Sequence, residues 1–340
     1  MKKKKKLTIG MATFDDFEGV YFTIQSLRLN NLDRLDELDL VVIDNNPTSL
    51  EGKATATFCS KACVRYLEET SWRSTAVRDR IFREAEAPVA MSIDPHVLFE
   101  PGAVARLIDF FDERPDTPDL FHGVMLYDYL DDSAGVVSHM NPEWRENMFG
   151  TWGHDEKAQD PEADPYEIPM MGLGCFISRV DAWQGFHPLF KGFGGEEGYI
   201  HEKTRRAGAK TMILPWLRWI HRFDRPRGVV YPLDVEERIT NYLIGWLELD
   251  KDPGEIIRHF AKTRPDILVD ELILPRVSDL LADYEHDPEA TIASWREEGE
   301  DEPVEEWNDT QVALGVPLEI DVKGLKLRVK KLGLEWAIES

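Results

Sequence analysis

The chain has 340 residues, and its 64 acidic and 40 basic residues give a formal net charge of −24. A chain of this length buries a sizeable core, and its 42% hydrophobic content is ordinary for globular proteins, which excludes global disorder. No apolar run reaches the length of about 18 residues that a membrane-spanning helix needs. The acidic balance also argues against a broad nucleic-acid-binding face.

The cysteines and the N-terminal residues point to a cytoplasmic protein. Cys59, Cys63 and Cys175 are too few to form a disulfide framework. Cys59 and Cys63 are four residues apart and would share a helix face, but no second pair with zinc-ligand spacing follows. Residues 1–6 form a basic tip of Met1 and five lysines, followed by neither an apolar signal-peptide segment nor a cleavage site.

Strands and helices alternate over the first third of the chain. The predicted strands are Leu7–Ala12, Leu38–Asp44 and Pro88–Asp94, and the predicted helices are Val20–Leu29, Ser74–Glu86 and Gly102–Phe111. Nearly continuous apolar strands are typical of parallel sheets buried on both faces, so the alternation predicts a doubly wound, Rossmann-like α/β sheet. Ligands of such sheets bind beyond the carboxyl ends of the strands, where Thr13, Asp44 and Asp94-Pro95-His96 lie.

The rest of the chain divides into an irregular segment, a second set of regular elements and an acidic tail. Residues 128–167 are acidic and aromatic without periodicity, which predicts a long functional loop. The elements predicted after it are a Gly-containing apolar segment Ile168–Ile177, a helix Tyr199–Ala207, strands Met212–Leu214 and Trp216–His221, and helices Val235–Leu249, Pro253–Thr263 and Ile267–Tyr284. Ten acids and one arginine in His286–Thr310 predict a solvated linker, and alternation in Pro317–Trp336 predicts a β-hairpin.

A candidate metal motif follows the third predicted strand. Asp94 and His96 are two residues apart at a strand end, so both side chains can point the same way and share one divalent cation. A carboxylate with an imidazole suits manganese or a similar metal. An Asp-x-His pair is common by chance, so its weight depends on its neighbours.

Six motifs in a fixed order supply that context. They are Thr13-Phe14-Asp15-Asp16, Val41-Val42-Ile43-Asp44-Asn45-Asn46, Arg78-Asp79, Asp94-Pro95-His96, Gly194-Gly195-Glu196-Glu197 and His221. In this order they resemble the GT-A fold nucleotide-sugar glycosyltransferases of the large family-2-like superfamily. The Asp-x-His form, in place of the usual Asp-x-Asp, is similar to the polypeptide N-acetylgalactosaminyltransferases. Three further segments resemble that branch. Its Met-Ala-Gly-Gly segment is similar to Met170–Phe176, its Trp-Gly-Gly-Glu-Asn segment to Phe193–Glu197, and its His-x-Phe-Arg segment to His221–Phe223.

The resemblance implies a GT-A catalytic domain at 7–233. Beyond it, the sequence pattern predicts a helical extension at 234–285, an acidic linker at 286–312 and a hairpin at 313–340. The resemblance also implies transfer of a sugar from a nucleotide sugar, with a UDP-sugar as the first choice, to a hydroxyl acceptor. Asp94, His96 and His221 would hold Mn²⁺ or Mg²⁺. The implied nucleotide-sugar contacts are Thr13, Asp44, Arg78, Gly174, Arg222, Arg225, Arg227 and Tyr231, of which the last four would close over the diphosphate.

The implied catalytic residues are Glu196 and Glu197. Glu197 stands where inverting relatives carry an aspartate base and the retaining branch carries Asn, whereas the metal motif favours the retaining branch; the stereochemistry stays open. Glu196 could also be a helix-start residue. Trp152 and His154 are candidate acceptor contacts. Asp224 takes the place where relatives carry the arginine after the histidine, so Arg222, Arg225 and Arg227 compete for the diphosphate.

Two alternatives and the acceptor stay open at this stage. A cell-surface glycan, a protein hydroxyl and a small molecule all fit as acceptor. A phage-type enzyme acting on a hydroxymethylated pyrimidine of DNA fits the arginines near the donor site but not the net charge. A non-catalytic nucleotide-sugar-binding module fits the fold, although the three retained metal ligands argue against it. The acidic tail and hairpin also leave a homo-oligomer open.

Overall fold

One mixed β-sheet organises the first 221 residues of the chain. The computed structural model describes residues 4–128, 135–223, 225 and 228–297, and the strand backbones 318–322, 325–332 and 335–339. The strands up to residue 221 are β1 (Leu7–Thr13), β2 (Leu38–Asp44), β3 (Arg65–Glu68), β4 (Val89–Ile93), β5 (Val97–Phe99), β6 (Leu120–Leu126), β7 (Val136–Val137), β8 (His139–Arg145), β9 (Met148–Gly153), β10 (Tyr166–Glu167), β11 (Cys175–Arg179) and β12 (Thr211–His221).

The sheet has the strand order β10-β12-β6-β11-β4-β1-β2-β3, with β5 paired to β12 and β7 paired to β6. β1 runs parallel to β2 and β4, and β2 runs parallel to β3. β11 is antiparallel to both β4 and β6, so the sheet is mixed. The apolar runs that predict β1, β2 and β4 are buried along nearly their whole length, as expected for strands covered on both faces. The predicted Rossmann-like α/β class is confirmed.

Helices connect the strands and continue beyond the sheet. They are α1 (Phe17–Asn30), α2 (Leu50–Ala62), α3 (Asp79–Arg83), α4 (Ala103–Glu113), α5 (Glu196–Arg206), α6 (Val235–Glu248), α7 (Gly254–Thr263), α8 (Leu274–His286) and α9 (Pro288–Glu297). None of the helices in the described ranges combines the length and the apolar character needed to cross a membrane.

Three sequence predictions differ from the structure. The predicted helix Ser74–Glu86 is a 3₁₀ turn at Thr75–Arg78 followed by the short α3, since the Ser74 side chain caps a tight first turn. The loop predicted at 128–167 contains the antiparallel hairpin of β8 and β9. The two strands predicted around Pro215 are one strand, β12, because a bulge between Leu214 and Arg218 accommodates the proline.

The chain divides into two units, Met1–Ile292 and Ala293–Ser340. Helix α9 covers part of the segment that the sequence predicts as an acidic linker. In the second unit, β13 (Leu318–Val322), β14 (Leu325–Leu332) and β15 (Glu335–Glu339) form an antiparallel sheet in that order. The predicted hairpin is therefore present, and a third strand extends it.

Candidate functional site

The strand ends singled out by the sequence meet at one edge of the sheet. Thr13 and Asp44 lie side by side in the register of β1 and β2. Asp94 follows β4 directly, and its backbone N–H donates to the Gly174 carbonyl at 3.0 Å. On the far side, β5 pairs with the end of β12, so Val97 lies opposite His221. This pairing brings residues more than 120 positions apart to one place.

Asp94, His96 and His221 form a cluster whose ligand atoms all lie within 4.8 Å of one another. The two Nε2 atoms are 3.1 Å apart, and His221 Nε2 lies 3.3 Å from Asp94 Oδ2. Two ligand atoms at about 2.1 Å from a cation and at right angles to each other are about 3 Å apart. The spacing and the donor set, one carboxylate and two imidazoles, therefore fit a divalent transition metal such as manganese.

Asp16 supports this cluster from outside, and the sequence reasoning did not single it out as a site residue. Its Oδ2 lies 2.6 Å from His96 Nδ1, and its Oδ1 accepts the Gly19 N–H at the start of α1. A carboxylate on the outer nitrogen of a metal-binding histidine is a common arrangement that fixes the ring. In the sequence Asp16 is only the last residue of the motif Thr13-Phe14-Asp15-Asp16, next to the start of a predicted helix.

Neighbouring charges keep both aspartates ionised. Burial alone would raise the pKa of Asp94, but the hydrogen bond from His221 and the charge of Arg78 lower it well below the usual value. Burial likewise opposes ionisation of Asp16, but its hydrogen bond with His96, the charges of His96 and Arg225 and the Gly19 N–H together lower its pKa. The cluster therefore presents the anionic carboxylate of Asp94 to a cation.

Arg78 connects the metal motif to the glutamates. It is buried, and its guanidinium donates to the Thr75 carbonyl at 2.8 Å, to the Leu173 carbonyl at 2.7 Å and to Glu196 Oε1 at 2.7 Å. One of its nitrogens also lies 3.7 Å from Asp94 Oδ1. These protein acceptors take up most of its donors, which favours a role in holding Asp94 and Glu196 over direct contact with a diphosphate.

Glu196 and Glu197 are adjacent, buried and differently placed. Glu196 is ion-paired with Arg78. Burial and the charge of Glu196 raise the pKa of Glu197 well above the usual carboxyl range, although Arg78 and Arg238 act in the opposite sense. Glu196 is thus held by an arginine, and its neighbour Glu197 holds a proton more readily than an ordinary carboxyl group.

The segment after β12 lies beside the metal cluster. Arg225 Nη1 is 3.9 Å from Asp16 Oδ2, and the Arg225 side chain is 13% exposed. Arg225 also donates to the Tyr231 hydroxyl, and Asp94 is among the charges that act on Tyr231. Arg222 instead reaches Glu18, 3.6 Å away. Of the two described arginines, Arg225 therefore lies nearer the cluster; Arg227 lies outside the described residues.

The implied base and ribose contacts are buried. Asp44 Oδ1 accepts the Asn46 N–H and its Oδ2 accepts the Tyr66 hydroxyl, both at 2.8 Å, so Asp44 caps the turn after β2. Burial raises its pKa. Gly174 leaves space for the Trp219 ring and the Asp94 carboxylate, because a Cβ there would lie 2.9 Å from the ring and 3.2 Å from Asp94 Oδ2.

Several buried polar atoms around this edge have no hydrogen-bond partner in the described part of the chain. They are Thr13 Oγ1, Glu196 Oε2, Glu197 Oε2, His221 Nδ1 and Arg225 Nε. Buried polar groups are usually satisfied, and the exceptions are frequent where a ligand binds. All of these atoms belong to residues that the sequence assigned to the site.

The two candidate acceptor residues lie on or next to the β8–β9 hairpin. Trp152 is half-buried and packs against Gly172. His154 is exposed, and its Nδ1 lies 2.8 Å from the Val136 carbonyl. Among the described residues, neither is hydrogen-bonded to the metal cluster, so the structure does not join them to it directly.

Comparison with known proteins places the fold. No protein-family model and no curated protein matches the sequence. The chain is similar to a crystal structure of GalNAc-T7 with UDP, GalNAc and Mn²⁺, with a TM-score of 0.62, 16% identity, and 83% of this chain and 54% of that chain covered. The present chain thus spans about half of the GalNAc-T7 chain's length.

Two further similar structures have lower scores. S. aureus TarS 1-349 in complex with UDP-GlcNAc gives a TM-score of 0.48 at 14% identity, covering 97% of this chain and 98% of that one. PcManGT, a mannosyltransferase from Pyrobaculum calidifontis in complex with GDP-Man and Mn²⁺, gives 0.48 at 14% identity, covering 86% and 79%. Of these three structures, GalNAc-T7 has the highest TM-score, and the fold is assigned from this similarity. The chain has the GT-A glycosyltransferase fold that the order of its motifs predicts.

Proposed function

We propose that this GT-A fold chain is a metal-dependent glycosyltransferase that moves a sugar from a nucleotide sugar, most simply a UDP-sugar, to a hydroxyl acceptor. The observation that carries the proposal is the convergence of Asp94, His96 and His221 at the carboxyl edge of the sheet. Its similarity to GalNAc-T7, a structure that holds UDP, GalNAc and Mn²⁺, supports the choice of donor and cation.

Asp94, His96 and His221 would hold the cation, Mn²⁺ or Mg²⁺. A bound cation would neutralise the charge that develops on the diphosphate as its bond to the sugar breaks. Arg225 adds a second positive charge on the side of Asp16, and its hydrogen bond with Tyr231 holds the segment after β12 beside the cluster. This segment would exclude water from the donor and so limit its hydrolysis.

Glu197 would accept the proton of the acceptor hydroxyl as that oxygen attacks the sugar. Its Oε2 is buried and has no hydrogen-bond partner among the described residues, and its raised pKa suits proton uptake. Glu196 would stay paired with Arg78 and would hold the start of α5 against the metal motif. Thr13, with its buried unpartnered hydroxyl, and Asp44 would line the nucleoside pocket.

The test is release of UDP from a panel of UDP-sugars in the presence of Mn²⁺. The wild type should release UDP, excess chelator should stop the release, and His96→Ala should reduce it at least about 100-fold, since it removes one of three metal ligands. His286→Ala, an exposed histidine at the end of α8, is the matched control and should behave as the wild type. Full activity in chelator, or in His96→Ala, would contradict the proposal.

A further inference from the structure

One carboxylate outside the metal cluster contacts one of its ligands. Asp16 Oδ2 and His96 Nδ1 are 2.6 Å apart, and the two side chains are only 12% and 7% exposed. A carboxylate is acceptor-only, so this contact requires the proton of His96 on Nδ1. In the neutral ring, the lone pair is then on Nε2, which is the atom that faces Asp94 and His221.

Asp16 is held in this position by α1. Its Oδ1 accepts the Gly19 N–H at 3.0 Å, and its carbonyl accepts the Val20 N–H at 3.1 Å. One oxygen is therefore used by the helix start, which leaves the other directed at His96. The carboxylate lies close against Gly19, where a Cβ would be 2.7 Å from both of its oxygens.

The same helix also holds the backbone on both sides of His96. The Thr23 hydroxyl lies 2.8 Å from the Pro95 carbonyl and 2.9 Å from the Val97 carbonyl, and it accepts the Val97 N–H at 3.1 Å. Thr23 is fully buried. Helix α1 thus fixes His96 twice, through its ring by Asp16 and through its backbone by Thr23.

We propose that Asp16 is the positioning residue of His96, which selects the Nδ1–H form of the ring and directs Nε2 toward the metal. This inference rests on the proposed metal-dependent function. Arg225 approaches the same carboxylate: its Nη1 lies 3.9 Å from the oxygen that contacts His96. Asp16 is then the point at which a metal ligand and the segment after β12 meet.

The experiment compares substitutions that separate the two jobs of Asp16. Asp16→Ser keeps a helix-capping oxygen but is too short to reach the imidazole, whereas Asp16→Asn caps the helix with its one amide oxygen and turns an NH₂ donor toward His96 Nδ1. We measure the Mn²⁺ dissociation constant by electron paramagnetic resonance of the free ion. Both variants should bind Mn²⁺ about 10–100-fold more weakly than the wild type, and the Asn variant should bind no more tightly than the Ser variant.

A second readout does not depend on the metal. In the metal-free protein, ¹⁵N chemical shifts of the His96 ring should show the Nδ1–H form in the wild type, a mixture of forms in Asp16→Ser and the Nε2–H form in Asp16→Asn. Gly19→Ala is the complementary variant, because it keeps the carboxylate but displaces it. It should also weaken Mn²⁺ binding, while alanine favours the helix itself.

The outcomes separate this inference from the proposed function. An Asp16→Ser variant that binds Mn²⁺ as tightly as the wild type and keeps the same ring form would overturn the positioning role. A wild type that binds no Mn²⁺ would overturn the metal site, and the ring form would then still decide whether Asp16 sets the state of His96. Loss of the Nδ1–H form in the Ser variant, with weaker Mn²⁺ binding, is the result expected.

Discussion

Two histidine pairs in this protein meet at the same separation in opposite surroundings. His96 and His221 face each other with their Nε2 atoms 3.1 Å apart, and so do His122 and His201. The first pair meets edge to face at an interplanar angle of 82°, and the second is stacked at 26°. Distance alone therefore does not distinguish a metal site from a structural pair.

The partners of each pair make the difference. Asp94 and Asp16 contact the first pair, which lies at the open edge of the sheet. His122 and His201 are fully buried and contact backbone carbonyls, at Cys175 and Glu197 respectively. Burial lowers the pKa of His122 to about 3, against the hydrogen bond to the Cys175 carbonyl, and burial with the neighbouring His122 lowers the pKa of His201.

The comparison shows what a cation requires beyond two facing imidazoles. Carboxylates supply the negative charge that offsets the cost of holding a divalent ion, and an open edge lets the ion enter. The buried pair has neither among the described residues, so its rings are neutral and contribute packing and hydrogen bonds.

His221→Ala should abolish measurable Mn²⁺ binding, because it removes one of three protein ligands and leaves Asp94 without its imidazole partner. The free energy of unfolding should change by less than about 1 kcal/mol, since the side chain lies at the edge of the site. Calorimetric titration with Mn²⁺ measures the first effect and urea unfolding the second. Retained affinity would show that the first pair is not a metal site.

His122→Ala should lower the free energy of unfolding and leave Mn²⁺ binding nearly unchanged. Removing a fully buried ring leaves a cavity, a Cys175 carbonyl without its donor and a His201 ring without its partner, which together should cost about 2–4 kcal/mol of unfolding free energy. Mn²⁺ affinity should stay within about threefold of the wild type. A loss of Mn²⁺ binding greater than that of His221→Ala would reverse the assignment of the two pairs.

Arg225→Ala should weaken UDP binding about 10-fold or more, because a charge-assisted contact to a phosphate contributes about 1.5–3 kcal/mol. Arg222→Ala is the matched control, since its side chain lies beside Glu18 and should change UDP affinity less than about threefold. Titration with UDP in the presence of Mn²⁺ measures both. Equal losses in the two variants would remove the preference for Arg225.

The buried pair should also set a pH dependence of stability. Because the folded-state pKa of His122 is lowered below its ordinary value of 6.5, the unfolded chain binds more protons below that pH, and stability falls as pH falls. The slope from one histidine is at most about 1.4 kcal/mol per pH unit. His122→Gln should reduce this slope between about pH 6.5 and pH 5 in urea unfolding. An unchanged slope would mean that His122 does not titrate as a buried group.

Part of the site was predictable because it follows strands with a strong signal. The apolar run Leu38–Asp44 has the bounds of the observed strand, and Asp94 stands out as a charge directly after another apolar run. His221 was found through motif order, and the pairing of β5 with β12 explains why it reaches His96. Local sequence was sufficient wherever hydrophobic burial fixed the element.

Other parts depend on contacts between distant segments. In the sequence Asp16 lies next to the start of a predicted helix, but its contact with His96 spans 80 positions and depends on where α1 packs. The β8–β9 hairpin was predicted as a loop because Gly150 and Pro142 interrupt its alternation. It is held instead by tertiary packing, such as Trp144 against Tyr242, with ring centroids 5.0 Å apart.

The most direct test of the account is a crystal soaked with Mn²⁺ and UDP and measured with X-rays at the manganese absorption edge. We expect one anomalous peak within about 2.3 Å of Asp94 Oδ2, His96 Nε2 and His221 Nε2, with the UDP diphosphate beside it and in contact with Arg225. A peak between other residues, or UDP bound away from these three side chains, would contradict it.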